Sequence, residues 1–298
     1  GNGALGGAIA GGEYNVAIGN YTLDALTSGD ANTAVGYNAG SAVTTGIRNV
    51  LIGNEAGLAL TTGGSNVAVG HEALKNENGN GGNTAIGTQT LFTQDAGAEA
   101  YNVAVGFQAG VSITTGVRTI AIGGLAADGY DTENDNLAIG HAALGGAVAG
   151  GEFNVAIGNY SLDALTSGDK NTVIGYDAGG ALTTGSANTI IGENAGSNGA
   201  LTGDDNTVVG KIAGYALTSG HSNTLIGRHA ASALTTGVRN VALGMGANDS
   251  AADGENDNIA IGYNAMAAAS LAGAEFNVAV GSSALVAVTS GDANTAIG

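Results

Sequence analysis

The chain has no cysteine, no proline and no tryptophan. Without cysteine there is no disulfide framework, which leaves the compartment open: a secreted chain can dispense with disulfides when another device stabilises it. Gly-rich composition can signal disorder, and 55 of the 298 residues are Gly. The absence of proline and of serine enrichment, with 44% hydrophobic residues, argues against that reading. No apolar run approaches the ~18 residues that a membrane-spanning helix needs. Only seven residues are basic against 25 acidic, for a net charge of −18. A surface of that sign disfavours DNA, RNA and anionic lipid as partners and keeps a β-rich chain soluble. No leader segment is visible, and a chain that starts at Gly1 reads as an excised or processed segment.

What is present is repetition. A five-residue phrase, one polar residue, three apolar or Thr residues and a Gly, occurs seventeen times, from Asn15-Val16-Ala17-Ile18-Gly19 to Asn294-Thr295-Ala296-Ile297-Gly298. Eleven of the sixteen spacings between closing glycines are 17 residues, three are 18 and two are 19. A period this short holds one small supersecondary unit, which cannot bury its own apolar face and must stack on its neighbours. The expected architecture is an all-β parallel β-solenoid of about seventeen 17–19-residue coils, a single continuous array over 1–298.

Each place in the phrase carries its own expectation. Place 4 is Ile eleven times, Val five times and Leu once, and place 2 is always Val, Thr, Ile or Leu. The β-branched bias suits a strand, and alternation puts these two places on one face, expected to line the core of the coil. Place 3 points the other way and is never polar, with twelve Ala and the exceptions Leu51, Val173, Ile190, Val208 and Leu225. A strand wet on one side shows polar residues there. The row Ala17, Ala34, Leu51, Ala68, Ala85, Val173, Ile190 and Leu225 is therefore expected to form an oligomer face covered by other copies of the chain. Place 1 is Asn in sixteen phrases, Thr119 being the exception. Stacked at one strand spacing, Asn15, Asn32, Asn49, Asn66, Asn83, Asn102 and Asn136 are expected to form a structural amide ladder.

Between phrases runs a looser motif, as in Ala59-Leu60-Thr61-Thr62-Gly63, which reads as a second short strand closing on a turn. Seventeen coils at one strand spacing would span on the order of 80 Å. The longer coils 88–106 and 263–281 are expected to carry surface bulges. Text running from Gly298 back into Gly1 keeps the period, so the array is a slice of a longer fibre or stacks end to end.

The repeated NVAIGN and NTAVGYNAG text resembles the head repeats of trimeric autotransporter adhesins (YadA-like heads) and repeats of bacteriophage tail-fibre proteins. The resemblance covers nearly the whole chain. It implies a left-handed β-roll, a homotrimer and an extracellular rod on a cell surface or virion, meeting a glycan or protein receptor. Two departures stand beside it: the autotransporter unit is commonly shorter, and no heptad-repeat stalk, neck or anchor is seen in the chain.

Chemistry needs an unlike, localised constellation, and the chain offers rows of like residues. No catalytic set, P-loop or cofactor motif is found. His71, His141, His221 and His229 lack metal spacing with a third ligand. The acidic turns ending in Glu-Asn-Asp-Asn, with Asp131, Glu133 and Asp135 in one and Asp253, Glu255 and Asp257 in the other, are weak Ca²⁺ candidates. Arg48, Arg118 and Arg239 share one register, which suggests salt bridging, and Tyr37, Phe107, Tyr176 and Tyr263 share another, where they cover turns or stack on glycan rings. The expected function is a non-enzymatic structural fibre or adhesin segment. The alternatives are an ice- or surface-binding solenoid using its Thr rows and, behind it, a polysaccharide-acting enzyme.

Overall fold

The computed structural model describes every residue except 147–149, 251–253, 268–272 and 289–290. The chain forms two compact units, Gly1–Ala149 and Gly150–Gly298. Each is a parallel β-solenoid. The first holds eight strands, β1 (Val16–Ile18) to β8 (Leu137–Ile139), and the second nine, β9 (Val155–Ile157) to β17 (Thr295–Ile297). Every strand is places 2–4 of one phrase. Neighbouring strands pair in parallel with like places opposite, as in Thr33↔Val50, Ala34↔Leu51 and Val35↔Ile52. The spacings of 18 and 19 do not disturb that register: Thr84 still faces Val103 across the 19-residue coil 88–106, so its extra residues lie outside the strands.

The two faces of the strand are the reverse of the sequence expectation. Place 3 is the interior: Ala34, Leu51, Ala68, Ala85, Val173, Ile190 and Leu225 are all fully buried within the single chain, and Ala17 in the first strand is half-buried. These residues are therefore not an oligomer face. Places 2 and 4 point outward, half-buried to exposed. The physical reason is the thickness of the coil. The small place-3 side chains share the interior with Ala39, Ala56 and Ala73 after the turn and with Leu26, Val43 and Leu60 farther along the coil, all fully buried. A 17-residue coil has room for little more than Ala against Leu, so the bulkier β-branched rows are left outside.

Side-chain volume is balanced inside this thin core. Where place 3 is enlarged, the residue six positions on is Gly or Ala. Leu51, Val173, Ile190 and Val208 are followed by Gly57, Gly179, Gly196 and Gly214, and Leu225 by Ala231. A Cβ on Gly57 would lie 2.8 Å from Leu51 Cδ2, and one on Gly214 would lie 3.2 Å from Val208 Cγ1. After Ala68 and Ala85 the same slot holds the buried Leu74 and Leu91, whereas after Ala34 it is Gly40, where a Cβ would lie 2.5 Å from Leu51 Cδ1 of the next coil.

The expected second strand is replaced by turns. Among the described residues, strand-like pairing outside the seventeen strands is confined to the bridge Leu182↔Leu201. The Thr segments still bond coil to coil, with Thr27 N–H donating to Thr44 O at 2.9 Å and Thr44 N–H to Thr61 O at 2.9 Å. An extended ladder cannot form because the preceding residues are left-handed. In the coil after Gly19, for example, Tyr21 has φ 55° and Leu23 φ 49°, ahead of Thr27. The described residues include 42 non-Gly residues with positive φ, recurring at the same slots coil after coil. Each costs about 1–2 kcal/mol in isolation, and the coil-to-coil hydrogen bonds offset it.

Candidate interaction surface

The outward rows make one stripe per unit. In the first unit it contains Val50, Ile52, Val67, Val69, Thr84, Ile86, Ile120 and Ile122, with no charged residue at any place 2 or 4. Ile52, Ile86, Ile120 and Ile122 are each 37–39% exposed, as are Ile174 and Ile226 in the second unit. Eight strands at about 4.8 Å give this stripe a length of about 34 Å. Uncharged, partly exposed apolar β surface of this kind marks an interface or an aggregation hazard.

Beside each strand runs the asparagine row, buried. Asn49 Oδ1 accepts from the backbone N–H of Asn66 at 3.0 Å and from its Nδ2 at 3.2 Å. Asn49 Nδ2 donates to Asn32 Oδ1 at 3.0 Å and to Gly63 O at 2.9 Å. All four hydrogen-bonding positions of the carboxamide are thus filled. The pattern runs through Asn15, Asn32, Asn49 and Asn66, and Asn83 and Asn102 continue its backbone half. Asn136 lies in the same buried row.

Beside the long coil 88–106 the row changes character. Asn83 Nδ2, Asn80 Nδ2 and Gln94 Nε2 are buried with no protein acceptor, and Gln94 Oε1 takes the Nδ2 proton of Asn102 at 3.0 Å. The fully buried Glu77 accepts from Asn80 N–H at 3.0 Å through Oε1, while Oε2 has no protein donor. Burial pushes the Glu77 carboxyl above its ordinary value of 4.5, Asp95 adding to the effect and the Asn80 N–H opposing it. The folded state therefore holds a proton that the unfolded chain releases, so this group's contribution falls as pH rises past that ordinary value. Glu77→Gln is expected to raise the melting temperature at neutral pH by about 2–4 °C, and to do so less near pH 4. Thermal melts of both proteins at the two pH values check it; an equal shift at both would remove ionisation as the cause.

The charged rows are committed locally. Arg118 clasps Asp135 on the next coil, Nε to Oδ1 at 2.6 Å and Nη2 to Oδ2 at 2.7 Å. Arg239 and Asp257 repeat the clasp at 2.7 Å and 2.7 Å. Each Arg holds its Asp carboxyl below the ordinary range. The bridging expected of this register therefore lies within one chain, between adjacent coils. The Ca²⁺ candidates are taken up in the same way. Asp135 and Asp257 are clasped, Glu133 and Glu255 are buried, and Asp131 accepts the Thr114 hydroxyl. Glu133 Oε2 receives the N–H groups of Asp131 and Thr132 at 2.9 and 3.0 Å. Asp253 lies outside the described residues. No group of three His, Cys, Asp or Glu among the described residues is placed to hold a metal.

The aromatic register Tyr37, Phe107, Tyr176 and Tyr263 stands exposed on the turns. Tyr21 meets Tyr37 edge to face at 6.0 Å, and Tyr160 meets Tyr176 at 6.0 Å. In the Thr rows the first hydroxyl is spent on the next coil, as from Thr27 to Thr44 O and from Thr218 to Thr235 O, both at 3.1 Å, and the second residue faces solvent. His71 and His221 sit on exposed turns beside Glu72 and Ser222. No helix among the described residues is long and apolar enough to cross a membrane. No family model, curated protein or solved structure matches the chain.

Proposed function

We propose that this chain is a segment of a non-enzymatic extracellular fibre or adhesin, assembled as a homotrimer of left-handed β-rolls and presenting repeated surface for attachment. The observation that carries the reading is the uncharged Val/Ile/Thr stripe along each unit, a surface that a rod-forming chain covers with copies of itself. The stripe replaces the Ala row as the surface on which assembly rests. Handedness and the number three follow from the resemblance to autotransporter heads. The repeated turns, with their exposed aromatic register, are what such a rod would show to a glycan or protein receptor on a cell surface.

Light scattering on the purified chain tests it. The expected mass is three times the chain mass of 28.5 kDa. Ile52→Lys with Ile86→Lys sets two charges on the stripe and is expected to give the single-chain mass with an unchanged circular dichroism spectrum. A single-chain mass for the unaltered protein would overturn the reading.

A further inference from the structure

The three same-register arginines differ in one respect. Arg118 and Arg239 are held by an Asp on the following coil, whereas the matching place on the coil after Arg48 is Ser65. Arg48 is exposed and forms no ion pair among the described residues. The coils beyond it are bare. In the two slots where other coils carry Glu13-Tyr14, Asp30-Ala31 or Val117-Arg118, the next two coils carry Gly64-Ser65 and Gly81-Gly82. Side chains return at Ala100-Tyr101. The result is a trough two coils wide, about 10 Å, with Arg48 on one wall and Tyr101 on the other.

The trough encloses about 470 Å³, within the usual span of small-molecule pockets. Its floor is backbone. A Cβ on Gly81 would lie 2.3 Å from Gly64 O, and one on Gly82 would lie 2.7 Å from Tyr101 Cδ1, so the floor stays open only with glycine. The Tyr101 ring rests on Gly82 and is 55% exposed. Glu99, on the bulge of the 19-residue coil, also lines the trough and accepts the Tyr101 hydroxyl, which fixes the ring.

We infer that this trough binds a sugar carrying a single carboxylate, a uronic or sialic-type acid. The Arg48 guanidinium takes the carboxylate, the Tyr101 face takes the ring, and Glu99 and Thr62 take hydroxyls. The net charge of −18 selects against an extended polyanion and leaves one local cation for one acid group. The inference rests on the attachment half of the fibre reading and fails separately from it, since scattering reports assembly whatever the sugar does.

Glucuronic acid, glucose and acetate are titrated into the full chain by saturation-transfer NMR. Glucuronic acid is expected to bind about tenfold more tightly than either of the others, the value of one charge-assisted contact added to ring stacking. Arg48→Ala is expected to weaken it about tenfold. So is Ser65→Asp, which leaves the arginine in place but supplies the clasp that Asp135 gives Arg118. Arg118→Ala is the control and leaves binding unchanged. Glucuronic acid that fails to bind, or binds no better than acetate, overturns the proposal. So does binding that Ser65→Asp and Arg48→Ala leave intact, or that Arg118→Ala weakens equally.

Discussion

Leu51→Ala is expected to destabilise the first unit by about 3–5 kcal/mol, the upper part of the range for emptying a buried Leu site. The site cannot collapse, because the slot that would fill it is Gly57, with φ +58° and no side chain. Gly57→Leu alone is expected to cost about 1–3 kcal/mol through overpacking, since even its Cβ meets Leu51 Cδ2 at 2.8 Å. Made together, the two changes should restore most of the loss. The double variant reproduces what the chain already does at Ala68 with Leu74, where a leucine sits at φ 52° in the same slot. Urea titrations of the four proteins give the coupling directly. Additive losses would show that the two slots do not share volume, contrary to the packing described above.

Asn49→Ala is expected to cost about 3–5 kcal/mol, since dismantling a buried hydrogen-bonded network is among the largest single-site effects. It orphans the backbone N–H of Asn66, one Nδ2 proton of Asn66 and the carbonyl of Gly63, in two residues that are both buried. Because each coil touches only its neighbours, the damage should be local. Hydrogen exchange should rise at Asn66 and Val67 and remain slow at Ile120 and Leu137. Uniform loss of protection across the first unit would mean that the row acts as one cooperative element.

Much of this fold was legible because each row is written many times over. The strands, their parallel register and the asparagine row all follow from counting. Which face lies inward did not follow. Alternation says that Val50 and Ile52 share a side and Leu51 takes the other, but parity carries no sign, and both sides are apolar. The clue lay in the exceptions. Leu51, Val173, Ile190 and Val208 are each answered by a Gly six residues later and Leu225 by an Ala, and size needs answering only inside a core. The Thr segments misled for a different reason: their composition is that of a strand, while the left-handed residues before them, such as Tyr21 and Leu23, are set by the path of the coil. The trough was hidden because it consists of absences at Gly64, Ser65, Gly81 and Gly82, flanked by two residues 53 positions apart in the chain.

The unbroken strand register has a consequence for length. Within a unit, every row tolerates the removal or duplication of one whole coil, because Asn again meets Asn and place 3 again meets place 3. A loss of four residues spanning one strand would throw all rows out of step at once. Length in this architecture is therefore quantised, in steps of one strand spacing, about 4.8 Å. A solenoid unit built this way can be lengthened or shortened by copying its own text, with no new interface to invent at either join.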